Sequence, residues 1–200
     1  DYMKKKDAAL CFCKVQLVKD DKMQKPSQPI FHGDIAEYIF NNGIAVTSSV
    51  VAKRDALLQC LFDEKQQKHQ DWEFLIRFEK QFKVCQSPYV GLNYTLSTGT
   101  NMSSKFNPAA TVRFLNNTLP EKYHNVMLLS QLYLMIKQRN RNAIIHLTKE
   151  LNDTYKYTPK NIGFRLKLYS VLFSKGFNLF NRITFRVLDS CIRLYKKLLN

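Results

Sequence analysis

Ser87 to Asn107 read SPYVGLNYTLSTGTNMSSKFN, and the reading of this stretch decides the fold. It carries Pro88, Gly91 and Gly99 among many Ser, Thr and Asn residues, each of which favours turns for its own backbone reason. From Lys83 to Lys105 those two lysines are the only charges. The pattern predicts a long loop, with room for one strand at Tyr89 to Leu96. Loops beyond about 15 residues are uncommon inside a compact domain, so the stretch is expected to divide two lobes. The predicted organisation is a near-neutral N-terminal lobe over 1–86, a loop or linker over 87–107, and a basic C-terminal lobe over 108–200.

Upstream, Ala9 to Val18 (ALCFCKVQLV) alternates from Cys11 onward, with Cys11, Cys13, Val15 and Leu17 on one side and Lys14 and Gln16 on the other. A period of two predicts a strand. Asp34 offers a cap for a short helix, Ile35 to Phe40, closed by Asn41-Asn42-Gly43. Thr47, Ser48 and Ser49 offer a second cap, with apolar residues at helical spacing through about Gln66. Asp71 offers a third, before the aromatic stripe Trp72, Leu75, Ile76, Phe78 and Phe82, which reads as core.

Downstream, the pattern is helical to the end. Pro108 to about Leu115 forms one helix, and a second places Pro120 in its first turn and runs to about Gln138. A third spans Arg141 to Tyr155, a fourth starts at Pro159 and ends near Ser174, and a fifth covers about Asn178 to Leu199. The expected fold is therefore mainly α: a small α(+β) N-terminal lobe with a strand or two and three helices, then a five-helix hairpin bundle or short α-solenoid. No fixed repeat period is present.

Charge is distributed unevenly. The 200 residues hold 31 Lys+Arg and 16 Asp+Glu, a formal net charge of +15. Residues 1–100 contribute +2 of this and residues 101–200 contribute +13. A like-charged surface repels itself unless an anion relieves it, which points to nucleic acid, an acidic protein segment or an anionic membrane surface. With 45% hydrophobic and 12% aromatic residues, the composition excludes a disordered tail. No apolar run approaches the roughly 20 residues of a membrane span. The chain opens at Asp1 without Met or a visible signal peptide, as expected of a processed piece. Its five cysteines, Cys11, Cys13, Cys60, Cys85 and Cys191, are odd in number and widely spaced, which predicts an intracellular, reducing setting without disulfides.

Chemical motifs are sparse. The six glycines stand too far apart for a Rossmann fingerprint or a P-loop, which argues against an NTPase or a classical dinucleotide enzyme. No G-x-S-x-G elbow, H-E-x-x-H or kinase set occurs. Cys11-x-Cys13 with His32 could supply three zinc ligands, but the same spacing suits a buried stripe, and neither metal nor cofactor is expected. The acidic residues of the basic half are too few for an acid/base pair there.

Cations form the strongest constellation. Arg182, Arg186, Arg193 and Lys197 share one face of the last helix, where guanidinium forks could grip phosphates or simply meet solvent. Lys137, Arg139 and Arg141 cluster at one predicted turn, and Lys156 and Lys160 flank the next, with Tyr155 and Tyr157 interleaved and Arg165 and Lys167 following. Aromatics among cations stack on unpaired bases in single-strand recognition. The expected function is a non-enzymatic protein that binds RNA or single strands through the basic helices, nucleocapsid-like or packaging in one form. The alternative is a helical adaptor docking an acidic protein segment. A helix-turn-helix over residues 34–66 is disfavoured by its long connection and near-neutral surroundings.

Overall fold

A computed structural model describes residues 2–19, 22–24, 28–95, 105–138 and 140–156, with Ile136, Lys137 and Arg141 as backbone. The chain divides into two compact units, 1–105 and 106–200.

The first unit is built on a four-stranded mixed sheet. Its elements are helix α1 (Tyr2–Lys5), strands β1 (Leu10–Lys19) and β2 (Lys22–Met23), helix α2 (Ile35–Phe40), strand β3 (Val50–Ala52), helices α3 (Arg54–Gln59) and α4 (Gln70–Glu79), and strand β4 (Val84–Thr95). β1 is the axis. β4 runs parallel to it along one edge, from Leu10↔Val84 to Val18↔Thr95. On the other edge β3 pairs antiparallel with Leu10–Phe12 and β2 with Val18–Lys19. Between them the Gln28 amide takes the place of a strand: it accepts from Val15 N–H (3.3 Å) and donates to Val15 C=O. That satisfies backbone groups that would otherwise lack partners.

This sheet overturns the expected mainly α fold: the stretch read as a loop with room for a strand at Tyr89 to Leu96 carries β4, which starts earlier, at Val84, and pairs along β1. The physical reason is irregular pairing. Between Phe12↔Gln86 and Lys14↔Val90 the register slips, and β4 accommodates Ser87-Pro88-Tyr89 in a bulge. A proline cannot donate to a ladder, so it is tolerated at such a break. At Gly91 a Cβ would lie 2.7 Å from Cys13 Sγ, so glycine lets β4 close on β1 without displacing that side chain. Beyond the bulge Leu92 and Tyr94 are half-buried while Asn93 and Thr95 are exposed, a strand alternation diluted by polar residues.

A second correction concerns residues 47–66. The single helix expected there is replaced by a 3-10 turn at Thr47–Ser49, then β3, then the six-residue α3. Ser49 spends its hydroxyl on Val46 C=O (2.7 Å), and the β-branched Val50 and Val51 favour the extended backbone that follows.

The core of this unit is aromatic. Phe12, fully buried on β1, meets Phe31 edge-on (centroids 5.4 Å) and Tyr38 at 5.1 Å. Complete burial of such a side chain contributes about 1.5–3 kcal/mol. Asp34 caps α2 by accepting from Glu37 N–H (2.7 Å). The Glu79 carboxylate, at the end of α4, accepts from Ile35 N–H at 2.9 Å and so ties the two helices together. Burial pushes Glu79 up to about 7, the nearby Asp34 charge adds to this, and the Ile35 N–H opposes it.

In the second unit the described elements are α5 (Pro108–Asn117), a 3-10 turn at Glu121–Tyr123, α6 (His124–Lys137) and α7 (Arg141–Thr154). Local capping explains their starts: Asn107 accepts from Ala110 N–H and Asn140 from Ala143 N–H, each at 3.0 Å. Pro120 stands before the 3-10 turn rather than inside the first turn of α6. Val126, Met127, Leu128, Leu132 and Met135 of α6 are buried, as are Ala143, Ile144 and Leu147 of α7. Among the described residues no helix is long and apolar enough to cross a membrane.

Candidate functional site

In the first unit, the 3-10 turn, β3, α3 and the start of α4 line an open pocket of about 150 Å³. Val50, Ala52, Leu57, Phe62, Phe74 and Leu75 give it apolar walls, and Thr47 and Asp71 supply its only polar side chains. Thr47 is exposed and Asp71 half-buried, whereas Phe74 and Leu75 are buried. The polar pair therefore stands at the mouth and the apolar surface forms the floor.

Asp71 reaches the mouth because α4 begins one residue before it. The helix is entered from His69, which has left-handed backbone (φ +62°), so Asp71 lies in the first turn instead of capping it. There the positive end of the helix dipole favours a negative charge. The Thr47 hydroxyl donates to Asp71 Oδ1. Its second carboxylate oxygen is left for a further donor, and no cation pairs with Asp71 among the described residues.

The walls are held from behind. Phe62 stacks on Phe74 with centroids 4.2 Å apart and planes 15° from parallel. Arg77 pairs with Glu73 (2.7 Å), donates to Leu61 C=O (2.6 Å) and reaches Cys60 Sγ (3.1 Å), pinning the segment that carries Phe62 onto α4. His69 stacks on Trp72 at 5.3 Å. Burial drives the His69 pKa down to about 3, with Lys68 reinforcing the shift, so the imidazole beside this site is neutral at physiological pH.

A larger cavity of about 300 Å³ is lined by Pro29, Ile30, His32, Asp34, Glu37, Tyr38 and Asn41. Of its two acids Asp34 already caps α2 and Glu37 is exposed, and the Tyr38 hydroxyl is engaged by Gln28 and Gln86. Among the described residues no three His, Cys, Asp or Glu side chains converge as a metal site. Cys11, Cys60 and Cys85 are buried free thiols and Cys13 is half-buried.

The cationic residues singled out in the sequence are only partly placed. Lys137 ends α6 and Arg141 begins α7, at one turn. Tyr155 and Lys156 follow the far end of α7, about 20 Å along its axis. The Tyr155 hydroxyl donates to His124 Nδ1 (2.7 Å), and the other ring nitrogen donates to Leu119 C=O (2.8 Å). Arg139, Tyr157, Lys160, Arg165, Lys167, Arg182, Arg186, Arg193 and Lys197 lie outside the described residues.

Part of this chain is similar to a glycosyltransferase. Over 94 residues it is 35% identical to the amylovoran biosynthesis glycosyltransferase AmsB of Erwinia amylovora. The match covers 44% of this chain and 31% of that relative, so the chain spans less than a third of the relative's length. No family model matches the chain, and no solved structure matches it.

Asp71 is the residue that sequence reasoning missed. In sequence it has the spacing of a helix cap, and Thr47, its partner at the cavity, lies on a segment read as another helix. The one local sign was Gln70 ahead of it, a residue already able to begin the helix and leave the carboxylate free.

Proposed function

We propose that this chain carries the acceptor side of a glycosyl-transfer site, with Asp71 at the mouth of the apolar cavity as general base. The observation that carries this reading is a carboxylate with an open oxygen, held by the Thr47 hydroxyl above a cavity able to seat an acceptor. The likeness to AmsB supports the reaction class. It also weighs toward an enzyme and against the expected non-enzymatic protein.

The chemistry follows from the geometry. An acceptor alcohol in the cavity donates its hydroxyl to Asp71. As its oxygen attacks the anomeric carbon of an activated sugar, the proton passes to the carboxylate and the leaving group departs with the electrons of the broken C–O bond. Proton removal by a positioned base contributes about 10²–10⁴ in rate. No cation or glycine-rich loop lines the cavity, so the phosphates of a sugar nucleotide have no partner there. The cavity is accordingly the acceptor's place and not the donor's. The experiment is transfer of a labelled sugar from sugar nucleotides to alcohol acceptors. Asp71→Asn, which keeps the shape and removes the base, should lose transfer by about 10²–10⁴, and an equal rate in both proteins would refute the assignment.

A second reading keeps the basic helices as a surface for RNA or single strands. It is favoured by the +13 charge of residues 101–200, with the acidic-protein adaptor as its rival. Its test is a salt titration on a labelled single strand: log affinity should fall with log salt at about 0.7 per phosphate contact. Binding that does not respond to salt would remove it.

A further inference from the structure

The cavity also specifies the chemistry of its occupant. An apolar space of about 150 Å³ accommodates a body the size of benzene; this pocket has that volume and an apolar floor, and it opens to solvent at its Thr47–Asp71 mouth. The six apolar lining residues offer side-chain carbon alone. At the mouth, Asp71 has already accepted one hydrogen bond from Thr47 and can take another. A sugar ring placed there would bring several hydroxyls to surfaces that cannot pair them, and unpaired buried polar groups are costly. A ring-sized hydrocarbon with a single hydroxyl leaves nothing unpaired: its body meets the floor at Phe74 and Leu75, and its hydroxyl reaches the free oxygen of Asp71.

We infer that the cavity binds an apolar alcohol of about one six-membered ring, the hydroxyl donating to Asp71 and the hydrocarbon filling the space behind it. Naming this ligand the acceptor rests on the glycosyl-transfer reading, whereas the binding itself does not. Arg77 sustains the site by fixing the segment that carries Phe62, the partly exposed wall stacked on Phe74.

Calorimetry or ligand-observed NMR on the full chain tests this with three probes: benzyl alcohol, toluene and methyl glucoside. Benzyl alcohol should bind with a Kd of about 1 mM, within reach of a ligand of eight heavy atoms. Toluene should bind about tenfold more weakly and methyl glucoside not measurably. Asp71→Ala should bring benzyl alcohol down to the affinity of toluene. Ala52→Leu, which fills the cavity, should abolish binding of both, with an unchanged circular dichroism spectrum and Trp72 emission showing that the chain is folded. Should that variant not fold, Leu57→Ala enlarges the cavity instead and should shift preference toward a bulkier alcohol. Asp71-dependent binding of benzyl alcohol without any sugar transfer would sustain this inference while the transferase reading fell. Tighter binding of methyl glucoside, or equal affinity of benzyl alcohol for the Asp71→Ala variant and the wild type, would overturn the inference and leave transfer to its own assay.

Discussion

The two units reach order by different routes. In 106–156 each described element is specified by its neighbours in sequence: an Asn cap, a stretch of helical periodicity, a turn. In 2–95 the central pairing joins Leu10 to Val84 and Val18 to Thr95, with strands β2 and β3 and helices α2, α3 and α4 lying between. A parallel pair requires such a crossover, and each contact in it depends on chain far away. The cavity belongs to the second kind of order, because Thr47 and Asp71 meet only once β3 has joined the sheet and α4 has packed beside it. Trp72 is the chain's single tryptophan, so its fluorescence follows the sheet unit while far-UV ellipticity follows the helices of both.

The strongest way to break this comparison is at Phe12. Phe12→Ala removes a fully buried ring from between Phe31 and Tyr38. It should cost about 3–5 kcal/mol in denaturant unfolding followed by Trp72. A loss under 1 kcal/mol would mean that β1 is not the axis of this unit. Gly91→Ala comes next. The added Cβ would stand 2.7 Å from Cys13 Sγ, and overpacking of this sort costs about 1–3 kcal/mol. Pairing it with Cys13→Ala should recover part of the loss, and a strictly additive double mutant would show that β4 does not press on Cys13.

How much was legible in the sequence follows the same division. The cap at Asp34, the helix start at Pro108 and strand β1 act over a few residues and left local traces. Asp34 and β1 can be read directly from alternation and spacing. β4 could be read only in part, as room for one strand at Tyr89 to Leu96, because its half-exposed face carries Asn93 and Thr95, its bulge absorbs Pro88, and its Gly91 packs against Cys13 on another strand. Each of those residues, met alone, signals a loop. The candidate site was hidden for a related reason: Asp71 and Thr47 each imitate a helix cap, and only the folded chain shows the carboxylate accepting from the hydroxyl.

In the helical unit the expected effect is smaller and depends on pH. His124→Ala removes the acceptor for Tyr155 and the donor to Leu119, a loss of about 1–3 kcal/mol. Burial holds the His124 pKa below its ordinary 6.5 in the folded chain. The unfolded chain thus binds the proton more readily, and wild-type stability should decline as pH falls through 6.5. His124→Ala should flatten that decline; an unaltered pH profile of the ellipticity melt would show that the imidazole does not titrate on unfolding.

The smallest expected effect has the opposite sign and lies in the sheet unit. Glu79, pushed from 4.5 up to about 7 when folded, contributes stability that is present below 4.5 and lost as pH rises through about 7. Glu79→Gln keeps an oxygen for Ile35 N–H and cannot ionise. It should raise Tm at pH 8 by a few degrees relative to wild type and leave pH 4 unchanged. A lower Tm at pH 8 would show that the ionised carboxylate stabilises the start of α2.

The most direct measurement compares sugar transfer by Asp71→Asn and Thr47→Val, both at the mouth of the cavity, in one assay with the wild type. If Asp71 takes the proton and Thr47 only orients it, the first variant should lose about 10²–10⁴ in rate and the second about tenfold or less. Equal losses in both, or an undiminished rate in Asp71→Asn, would contradict the assignment of the base.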